Sequence, residues 1–462
     1  MFGRSLFPVL LAASLLGGVP AEAAFMTTKA PADGVTPAWP VLQREIDGLS
    51  AKGGGTLVVP AGRYLSAQIE LKRGVTLSLE RNAVLVASTN HLDYLRPNNN
   101  PWRLSVVCAY DTESVGVTGK GRIEGNGTAH GRQIEGPNRW RLLHFVGCRK
   151  VRVEGVTLEN SNYWTAFFDR CDGVTIRGVT VNSIENYNND GLDVDSRNVL
   201  IEDCDLDCDD DAICFKSHHP DFAVERCEVR NCRISSHCNF IKFGTASEGV
   251  FRDIEVHDCK CYSRTGGIRD RSKEGLGTDD RDWGISAIAL EVVDGGGMER
   301  VTVRDIELGN GVICPIFIRL GERHVRPELR EPFLRDVLVE NVRHVGYAFS
   351  VQPVFVSGVP GRLVRDVTLR NVDVQFKAQG RPEDADAKII EEVDGYPEIL
   401  HFGPRWPCYG AFIRHAKGVR LENFSARTLG PDPRKRIVTD DAEILVTGDR
   451  GDQADVASDD DK

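Results

Sequence analysis

Residues 151–158 read Val-Arg-Val-Glu-Gly-Val-Thr-Leu, and the pattern returns at 174–181 as Val-Thr-Ile-Arg-Gly-Val-Thr-Val and at 199–206 as Val-Leu-Ile-Glu-Asp-Cys-Asp-Leu. Each copy is an alternating, β-branched strand beside a turn rich in Gly, Asn or Asp. Further copies occupy 251–256, 298–303, 334–339, 363–369 and 419–424. The early copies recur about every 25 residues without an intervening helical pattern, which is typical of a solenoid.

One coil of this size cannot bury its apolar residues alone, whereas stacked coils share a core and align their strands into parallel sheets. We therefore predict an all-β fold, a single-stranded right-handed parallel β-helix with a short N-terminal capping helix. The cap is placed at 24–75, because Leu42, Ile46 and Leu49 have helical spacing after Pro40. A six-bladed propeller is the rival architecture, but its blades need about 40 residues and four strands each.

The two ends of the chain differ from the repeats. Residues 1–23 combine a basic start, an apolar run at 6–19 and the small-x-small sequence Ala21-Glu22-Ala23, as in a secretory signal peptide cleaved near Ala23. We predict a secreted or periplasmic protein with a β-helix domain over 24–446. Residues 447–462 are predicted to form a disordered acidic tail, because they nearly lack large apolar residues.

The charge and composition of the chain limit the kinds of partner that it is expected to bind. The net charge of -11 argues against a nucleic-acid partner, which would favour a basic patch. No membrane association is expected, since no later stretch approaches about 20 apolar residues, and a monomer is predicted. The 13 Cys of an exported chain predict some disulfides and at least one free thiol, with several cysteines lining the core. Neither a metal nor another cofactor is predicted.

The densest polar sequences are Asn188-Asn-Asp-Gly-Leu-Asp193 and Cys208-Asp-Asp-Asp-Ala-Ile-Cys-Phe-Lys-Ser217. Asp190 and the pair Asp210 and Asp211 are about one coil apart, which places them on neighbouring rungs roughly 4.8 Å apart. Neighbouring carboxylates repel, so at least one pKa rises, and hydrolysis needs one protonated acid beside one ionised base. Stacked aspartates also bind calcium or simply face water, and this alternative stays open.

These motifs resemble glycoside hydrolase family 28, the polygalacturonases and rhamnogalacturonan hydrolases. Asn188–Gly191 is similar to the family's Asn-Thr-Asp-Gly motif, Asp210–Ile213 to its Gly-Asp-Asp segment, and His237 to the histidine of its Gly-His-Gly element. Weaker similarity extends over most of the chain after residue 23, in the segments 33–36, 53–62, 160–164, 396–398 and 408–415.

The resemblance implies a catalytic β-helix domain that hydrolyses polygalacturonan or rhamnogalacturonan with inversion. Asp210 would be the general acid, Asp190 and Asp211 would activate water, and His237 would tune the acid. The implied partner is an acidic plant cell-wall polysaccharide or its oligosaccharides.

Three departures from the family pattern bear on substrate binding. Asp209 replaces the Gly before the aspartate pair, and the Gly-His-Gly element reads Ser236-His237-Cys238. The family's Arg-Ile-Lys motif, which grips the galacturonate carboxylate, is replaced in register by 287–291, Ala-Ile-Ala-Leu-Glu. Without that cation pair the subsite could hold a neutral sugar. The substrate-binding candidates are Asn188, Lys216, Lys242, Arg269, Arg271, Arg319 and Tyr409.

Two other functions remain open on sequence alone. A β-helix polysaccharide lyase would use a Lys or Arg base with calcium, which the clustered aspartates and Lys216 permit. A noncatalytic carbohydrate-binding solenoid would bind the polymer without cleaving it.

Overall fold

The computed structural model describes residues 24–94, 104–131, 138–263, 284–326, 330–346, 348, 352–377, 380–448 and 456–458. The predicted signal peptide at 1–23 lies outside these residues.

Strands dominate the described chain. The first strands are β1 (Phe25–Thr27), β2 (Asp33–Pro37), β3 (Gly55–Val59), β4 (Gly62–Ser66), β5 (Ile69–Glu70), β6 (Val75–Leu79), β7 (Ala83–Ala87), β8 (Ser105–Tyr110), β9 (Glu113–Gly119), β10 (Arg122–Glu124), β11 (Arg141–Val146), β12 (Arg149–Glu154), β13 (Thr157–Glu159), β14 (Ala166–Arg177), β15 (Thr180–Ser183) and β16 (Leu192–Glu202). The later strands are β17 (Asp205–Cys208), β18 (Ile213–Ser217), β19 (Ala223–Arg230), β20 (Arg233–Ser236), β21 (Asn239–Ser247), β22 (Val250–Cys261), β23 (Gly284–Val292), β24 (Gly297–Leu308), β25 (Val312–Leu320), β26 (Phe333–His344), β27 (Val354–Ser357), β28 (Val364–Phe376), β29 (Cys408–Glu422), β30 (Ser425–Thr428), β31 (Lys435–Thr447) and β32 (Val456–Ser458).

Each strand pairs in parallel with its counterpart one coil earlier, so the coils stack into three parallel faces. The face that begins β5–β8–β11 continues through β14, β16, β18, β21, β23, β25, β27, β29 and β31. We call it the site face. This arrangement confirms the predicted parallel β-helix.

The repeats supply the core through equivalent inward positions that overlie one another. One such ladder runs, in strand register, through Val151, Val174, Val199, Cys227, Ile254, Val301, Val337 and Val367. Every member is at most 3% exposed. Full burial of an aliphatic side chain contributes about 1.5–3 kcal/mol, so one coil is stable only when its neighbours cover it.

The predicted capping helix is confirmed as α1 (Trp39–Ala51). Leu42, Ile46 and Leu49 form its buried face. Gln43 ties the helix to the first coils by donating from Nε2 to the carbonyl of Glu70 at 3.0 Å. Short 3₁₀ helices occupy His91–Tyr94, Pro382–Asp386 and Ile399–Phe402. Among the described residues, no helix combines the length and apolar character needed to cross a bilayer.

The C-terminal stretch keeps some regular structure. Thr447 still belongs to β31, and β32 pairs with β31 in parallel inside the predicted tail. Residues 449–455 and 459–462 of that tail lie outside the described residues.

Cysteines occupy core positions as predicted. Cys204, Cys227, Cys232 and Cys259 are buried and carry free thiols. All 13 cysteines of the chain lie among the described residues and carry free thiols, so the prediction of some disulfides is wrong. Inward cysteines pack in the coil interior like small apolar side chains instead.

Turns between the faces carry a second ladder, made of amides. Asn341, Asn371 and Asn423 all have positive φ, at 54°, 52° and 54°. Nδ2 of Asn371 donates to Oδ1 of Asn341 at 2.9 Å, and Nδ2 of Asn423 donates to Oδ1 of Asn371 at 2.9 Å. Asparagine suits this turn because it tolerates the left-handed region and its amide bonds to the next coil.

We predict that Asn371→Ala lowers the free energy of unfolding by about 1–2 kcal/mol, because alanine is strained at positive φ and lacks both amide bonds. Asn371→Gly loses the bonds but relieves the strain, so it should cost less. Thermal unfolding of both variants checks this. Equal melting temperatures for the alanine variant and the wild type would contradict the ladder's role.

Candidate functional site

A cavity of about 180 Å³ opens on the site face where β16, β18 and β21 lie side by side. The described residues that line it are Trp164, Asn188, Asp190, Asp210, Asp211, Lys216, His218, Lys242, Thr245, Ala246 and Tyr396. Because most of these side chains are charged or polar, the cavity suits a polar ligand.

Short loops bring aspartates to the cavity just before two neighbouring strands begin. Asp190 precedes β16 and Asp211 precedes β18. The backbone N–H of Gly191 donates to the carbonyl of Asp211 at 2.8 Å, and that of Leu192 donates to the carbonyl of Ala212 at 2.9 Å. The two loops therefore run in register, and the prediction that these aspartates lie on adjacent coils is confirmed.

Lys216 neutralises the Asp190 side of the cavity. Its Nζ lies 3.1 Å from Oδ2 of Asp190 and 3.1 Å from Oδ1 of Asp193. Burial opposes the charge of Lys216, but Asp193 and Asp190 outweigh it and raise the lysine pKa well above its usual value. Burial first, and then the nearby Asp193, raises the pKa of Asp190 well above its usual value despite Lys216. Asp190 therefore holds a proton more readily than an ordinary aspartate does.

Asp211 has the opposite environment. Nδ2 of Asn239 donates to its Oδ1 at 2.8 Å, and Nζ of Lys242 lies 3.2 Å from its Oδ2. Burial would raise the pKa of Asp211, but Lys242, Lys216 and Asn239 together hold it below its usual value. Asp211 is therefore ionised at neutral pH.

Asp210 is the half-buried member of the aspartate trio Asp190, Asp210 and Asp211. Its Oδ1 accepts a hydrogen bond from the backbone N–H of Asp211 at 2.9 Å, which orients the carboxyl. A carboxylate oxygen of Asp210 lies within 4.8 Å of one of Asp211 and of Sγ of Cys238. Asp210 is thus oriented, close to an ionised carboxylate and open to a ligand.

Aromatic rings form one wall of the cavity. Tyr163 and Trp164 stack with ring centroids 5.2 Å apart. The guanidinium of Arg141 lies 4.8 Å from the Tyr163 centroid and 5.1 Å from that of Trp164. Nζ of Lys216 lies 4.4 Å from the Trp164 centroid. These cation–π contacts hold the indole beside the aspartates, in the amphipathic setting that a sugar ring favours.

Glu291, the residue that ends the segment replacing Arg-Ile-Lys, lies next to Lys242. Its Oε2 is 3.9 Å from Nζ of Lys242 and accepts from Oγ1 of Thr245 at 3.5 Å. Burial raises the pKa of Glu291 to about 8, against the lowering effect of Lys242. At neutral pH this position therefore holds a mostly neutral carboxylic acid, where the family pattern has cations.

Three of the predicted substrate-binding residues meet the aspartate trio in the cavity: Asn188, Lys216 and Lys242. Oδ1 of Asn188 accepts from Nη1 of Arg139 at 3.0 Å, which fixes the loop ahead of Asp190. Both lysines are held by carboxylates, so they balance the site's negative charge before any ligand arrives.

His237 lies apart from the described lining of this cavity. It is buried, with Nδ1 3.8 Å from Oδ1 of Asp209 and its backbone N–H bonded to the carbonyl of Cys208 at 3.1 Å. Asp209 stands where the family pattern has Gly, so this neighbour of His237 was not predictable from the motif.

The remaining candidates also lie elsewhere. Arg319 is buried, and its Nη2 donates to the carbonyls of 391–392 at 2.9 and 2.8 Å. Tyr409 is partly buried and packs against the main core. Neither is among the described residues that line the cavity. Arg269 and Arg271 lie outside the described residues.

Several residues in the cavity or beside it were not named as site candidates from the sequence. Asp193 ends the first aspartate motif, and His218 directly follows the second, so proximity to the motifs was the available signal. Tyr396 comes from the long segment 380–407, whose path no repeat register predicts; its ring centroid lies 5.5 Å from Nζ of Lys242.

A comparison with protein-family models matches residues 50–294 to the glycosyl hydrolases family 28. This chain belongs to family 28. The match spans both aspartate motifs, His237 and Lys242, so the family's central coils include the cavity described above.

Curated relatives agree with the family assignment, and a solved structure shares the fold. A probable polygalacturonase of Vitis vinifera is 26% identical over 274 residues, covering 54% of this chain and 56% of the relative. A probable rhamnogalacturonase B of Neosartorya fischeri is 24% identical over 252 residues, covering 54% of this chain and 44% of the relative. The chain thus spans about half the length of the curated relatives it matches. The family 28 exopolygalacturonase of Yersinia enterocolitica has the same fold, with a TM-score of 0.68 and 17% identity over 94% of this chain and 79% of that chain.

We predict that Glu291→Gln stabilises this family 28 protein increasingly as the pH rises from about 4.5 to about 8. A carboxyl with a raised pKa keeps its proton in the folded state while the unfolded chain loses it above 4.5, so wild-type stability falls across that window. Glutamine does not titrate and avoids the loss. Melting temperatures of both proteins from pH 4 to pH 9 check the prediction.

Glu299→Gln is the matched control, because a hydrogen bond from Arg335 lowers the pKa of Glu299. That variant should lose stability relative to the wild type as the pH rises through the acid range. A pH-independent difference for Glu291→Gln would show that Glu291 is not held neutral.

Proposed function

We propose that this protein is an inverting hydrolase of pectic polysaccharide, acting on polygalacturonan or rhamnogalacturonan. The observation that carries the proposal is the aspartate trio on adjacent coils. In it, Asp211 is held ionised, the pKa of Asp190 is raised, and Asp210 is the member most open to a ligand. The names of the two relatives, a polygalacturonase and a rhamnogalacturonase, support the substrate class.

The electrostatics support a division of roles within the trio. Asp211 acts as the base that deprotonates water, because Lys242 keeps it ionised. Asp210 acts as the general acid, since it is the member most open to a glycosidic oxygen and belongs to the segment that implies this role. Asp190 assists in positioning the water, with its raised pKa leaving the main base role to Asp211. Inversion requires acid and base on opposite faces of the sugar, with room for that water.

The lysines argue against the lyase alternative. A lyase base must be neutral to accept a proton from the sugar, whereas paired carboxylates raise the pKa of Lys216 and Lys242 well above the usual value. Both amines therefore stay protonated and serve as electrostatic partners of the trio.

The sugar at the cleavage subsite follows from Glu291 and Lys242. Lys242, whose charge Asp211 partly neutralises, and the neutral acid Glu291 stand in place of the family's cation pair. A galacturonate carboxylate would therefore gain less binding energy there than in other members. We propose that this subsite accepts the less acidic sugars of a rhamnogalacturonan backbone as well as galacturonate. The proposal includes export to reach such a polymer, for which residues 1–23 are the support.

We predict that Asp210→Asn and Asp211→Asn each lower kcat for reducing-sugar release by at least about 100-fold, because each removes one half of the acid–base pair. Circular dichroism verifies that both variants fold, since Asp211→Asn also removes the ion-pair partner of the buried Lys242. Asp336→Asn is the control, since Asp336 is an exposed turn residue at φ 55°, a conformation that asparagine also adopts. Near-normal kcat for either cavity variant, or an equal loss in the control, would refute the assigned roles.

A second experiment tests reaction type and substrate together. We predict that polygalacturonan and rhamnogalacturonan, but not a neutral polymer, yield products whose mass shows addition of one water. Proton NMR of the first products should show the anomer opposite to that of the substrate linkage. Products that absorb in the ultraviolet through a new C=C bond would identify a lyase, and binding without product would identify a noncatalytic solenoid.

A further inference from the structure

A second polar cluster lies on the same face, beside the catalytic cavity. Asp169 on β14 and Asp195 on β16 are register partners, and His219 follows β18 on the next coil. One donor atom from each residue lies within 4.8 Å of the others. We call these three residues the Asp–His cluster.

The donor spacing suits a small divalent ion. Nε2 of His219 is 2.8 Å from Oδ1 of Asp169 and 3.9 Å from Oδ2 of Asp195. The shorter distance is a direct hydrogen bond between His219 and Asp169. A zinc ion about 2.0–2.1 Å from each donor in tetrahedral geometry needs donors roughly 3.3 Å apart, so zinc would replace this hydrogen bond after a shift of roughly 0.5 Å.

Asp195 supplies an independent sign of a missing ligand. The residue is fully buried. Its Oδ2, the oxygen 3.9 Å from His219, is bonded to His218, whereas its Oδ1 has no hydrogen-bond partner among the described residues and is the oxygen left for an ion. A buried carboxylate oxygen is costly unless it meets a donor or a cation. The imidazole beside it provides the other type of donor that a transition metal prefers.

His218 holds Asp195 in place. Oδ2 of Asp195 accepts from the backbone N–H of His218 at 2.8 Å and lies 2.9 Å from Nδ1 of its ring. Partners of this kind commonly orient a carboxylate that binds a metal. Nε of Arg170 lies 3.4 Å from Oδ1 of Asp169, but this arginine is 44% exposed and can leave for solvent.

The geometry points to a zinc site formed by Asp169, Asp195 and His219, with a fourth position open to water through the partly exposed His219. Nitrogen and carboxylate donors in this number favour zinc over calcium or magnesium, which take six or more oxygens. The site departs from the sequence-based expectation of no metal. It is separate from the acid–base trio and takes no part in the proposed proton transfers.

Zinc at this position would fix one wall of the catalytic cavity. The ring of His218 lies 6.4 Å from that of Trp164 and 5.8 Å from that of Phe167, so the cluster is linked to the aromatic wall. A bound ion would hold β14, β16 and the residues after β18 together at one point of the face.

Isothermal titration of the metal-free full chain with Zn²⁺ tests the site. We expect one ion per chain, a higher melting temperature with Zn²⁺, and Co²⁺ absorption bands of a four-coordinate site. His219→Ala and Asp169→Asn should each weaken Zn²⁺ binding by at least about 100-fold. Circular dichroism verifies that both variants fold.

Two control variants make the result specific. His415→Ala removes an imidazole that also lies between carboxylates, with Nδ1 2.7 Å from Oδ2 of Asp441 and Nε2 3.2 Å from Oε2 of Glu391. Asp211→Asn alters the other group of possible donors, Asp210, Asp211 and Cys238. Both should bind Zn²⁺ like the wild type. Absence of binding by the wild type, unchanged binding by His219→Ala, or loss of binding only in Asp211→Asn would overturn the proposal.

Discussion

The parallel hydrogen bonds between successive coils are the constraint on which the rest of the structure depends. They force equivalent positions of neighbouring coils to overlie one another, whether those positions hold valines in the core, asparagines in the turns or aspartates on the site face. A residue type that recurs at the same position of each coil therefore forms a column of like side chains. Apolar columns stabilise the fold, whereas charged columns must be balanced.

The charge balance on the site face explains how one column can hold different protonation states. Asp190 and Asp211 lie on adjacent coils, yet burial and Asp193 raise one pKa while Lys242 and Lys216 lower the other. The two lysines come from successive strands, so each carboxylate has a cation within reach. Differences in solvation and partner, rather than in residue type, separate the pKa values of the two aspartates, as the proposed hydrolysis requires.

Much of this could be predicted from the sequence, because a repeat fold converts spacing into position. The strand repeats, the capping helix and the adjacency of Asp190 to Asp211 all follow from periodicity. Arg319 could not be placed in this way, since its outward or inward direction depends on a segment far away in the sequence. His237 has the motif position but a different neighbour, Asp209, which the family pattern lacks.

Segments inserted between strands follow no such register. Tyr396 reaches the cavity from 380–407, and the sequence gives no period from which to place it. The Asp–His cluster also depends on three separate coils, none of which has a metal-binding motif of its own. Contacts between side chains from distant segments are therefore the part of the site that the spacing of the repeats does not predict.

The segment that carries Tyr396 is attached to the β-helix by two buried arginines. Arg319 donates to the carbonyls of 391–392, and Arg414 donates to those of 389–390 at 2.9 Å each. Both bind main-chain oxygens, which every amino acid possesses, so the anchorage tolerates side-chain changes in the segment. Substitutions in this segment can therefore reshape the rim of the cavity while the β-helix floor beneath it stays constant.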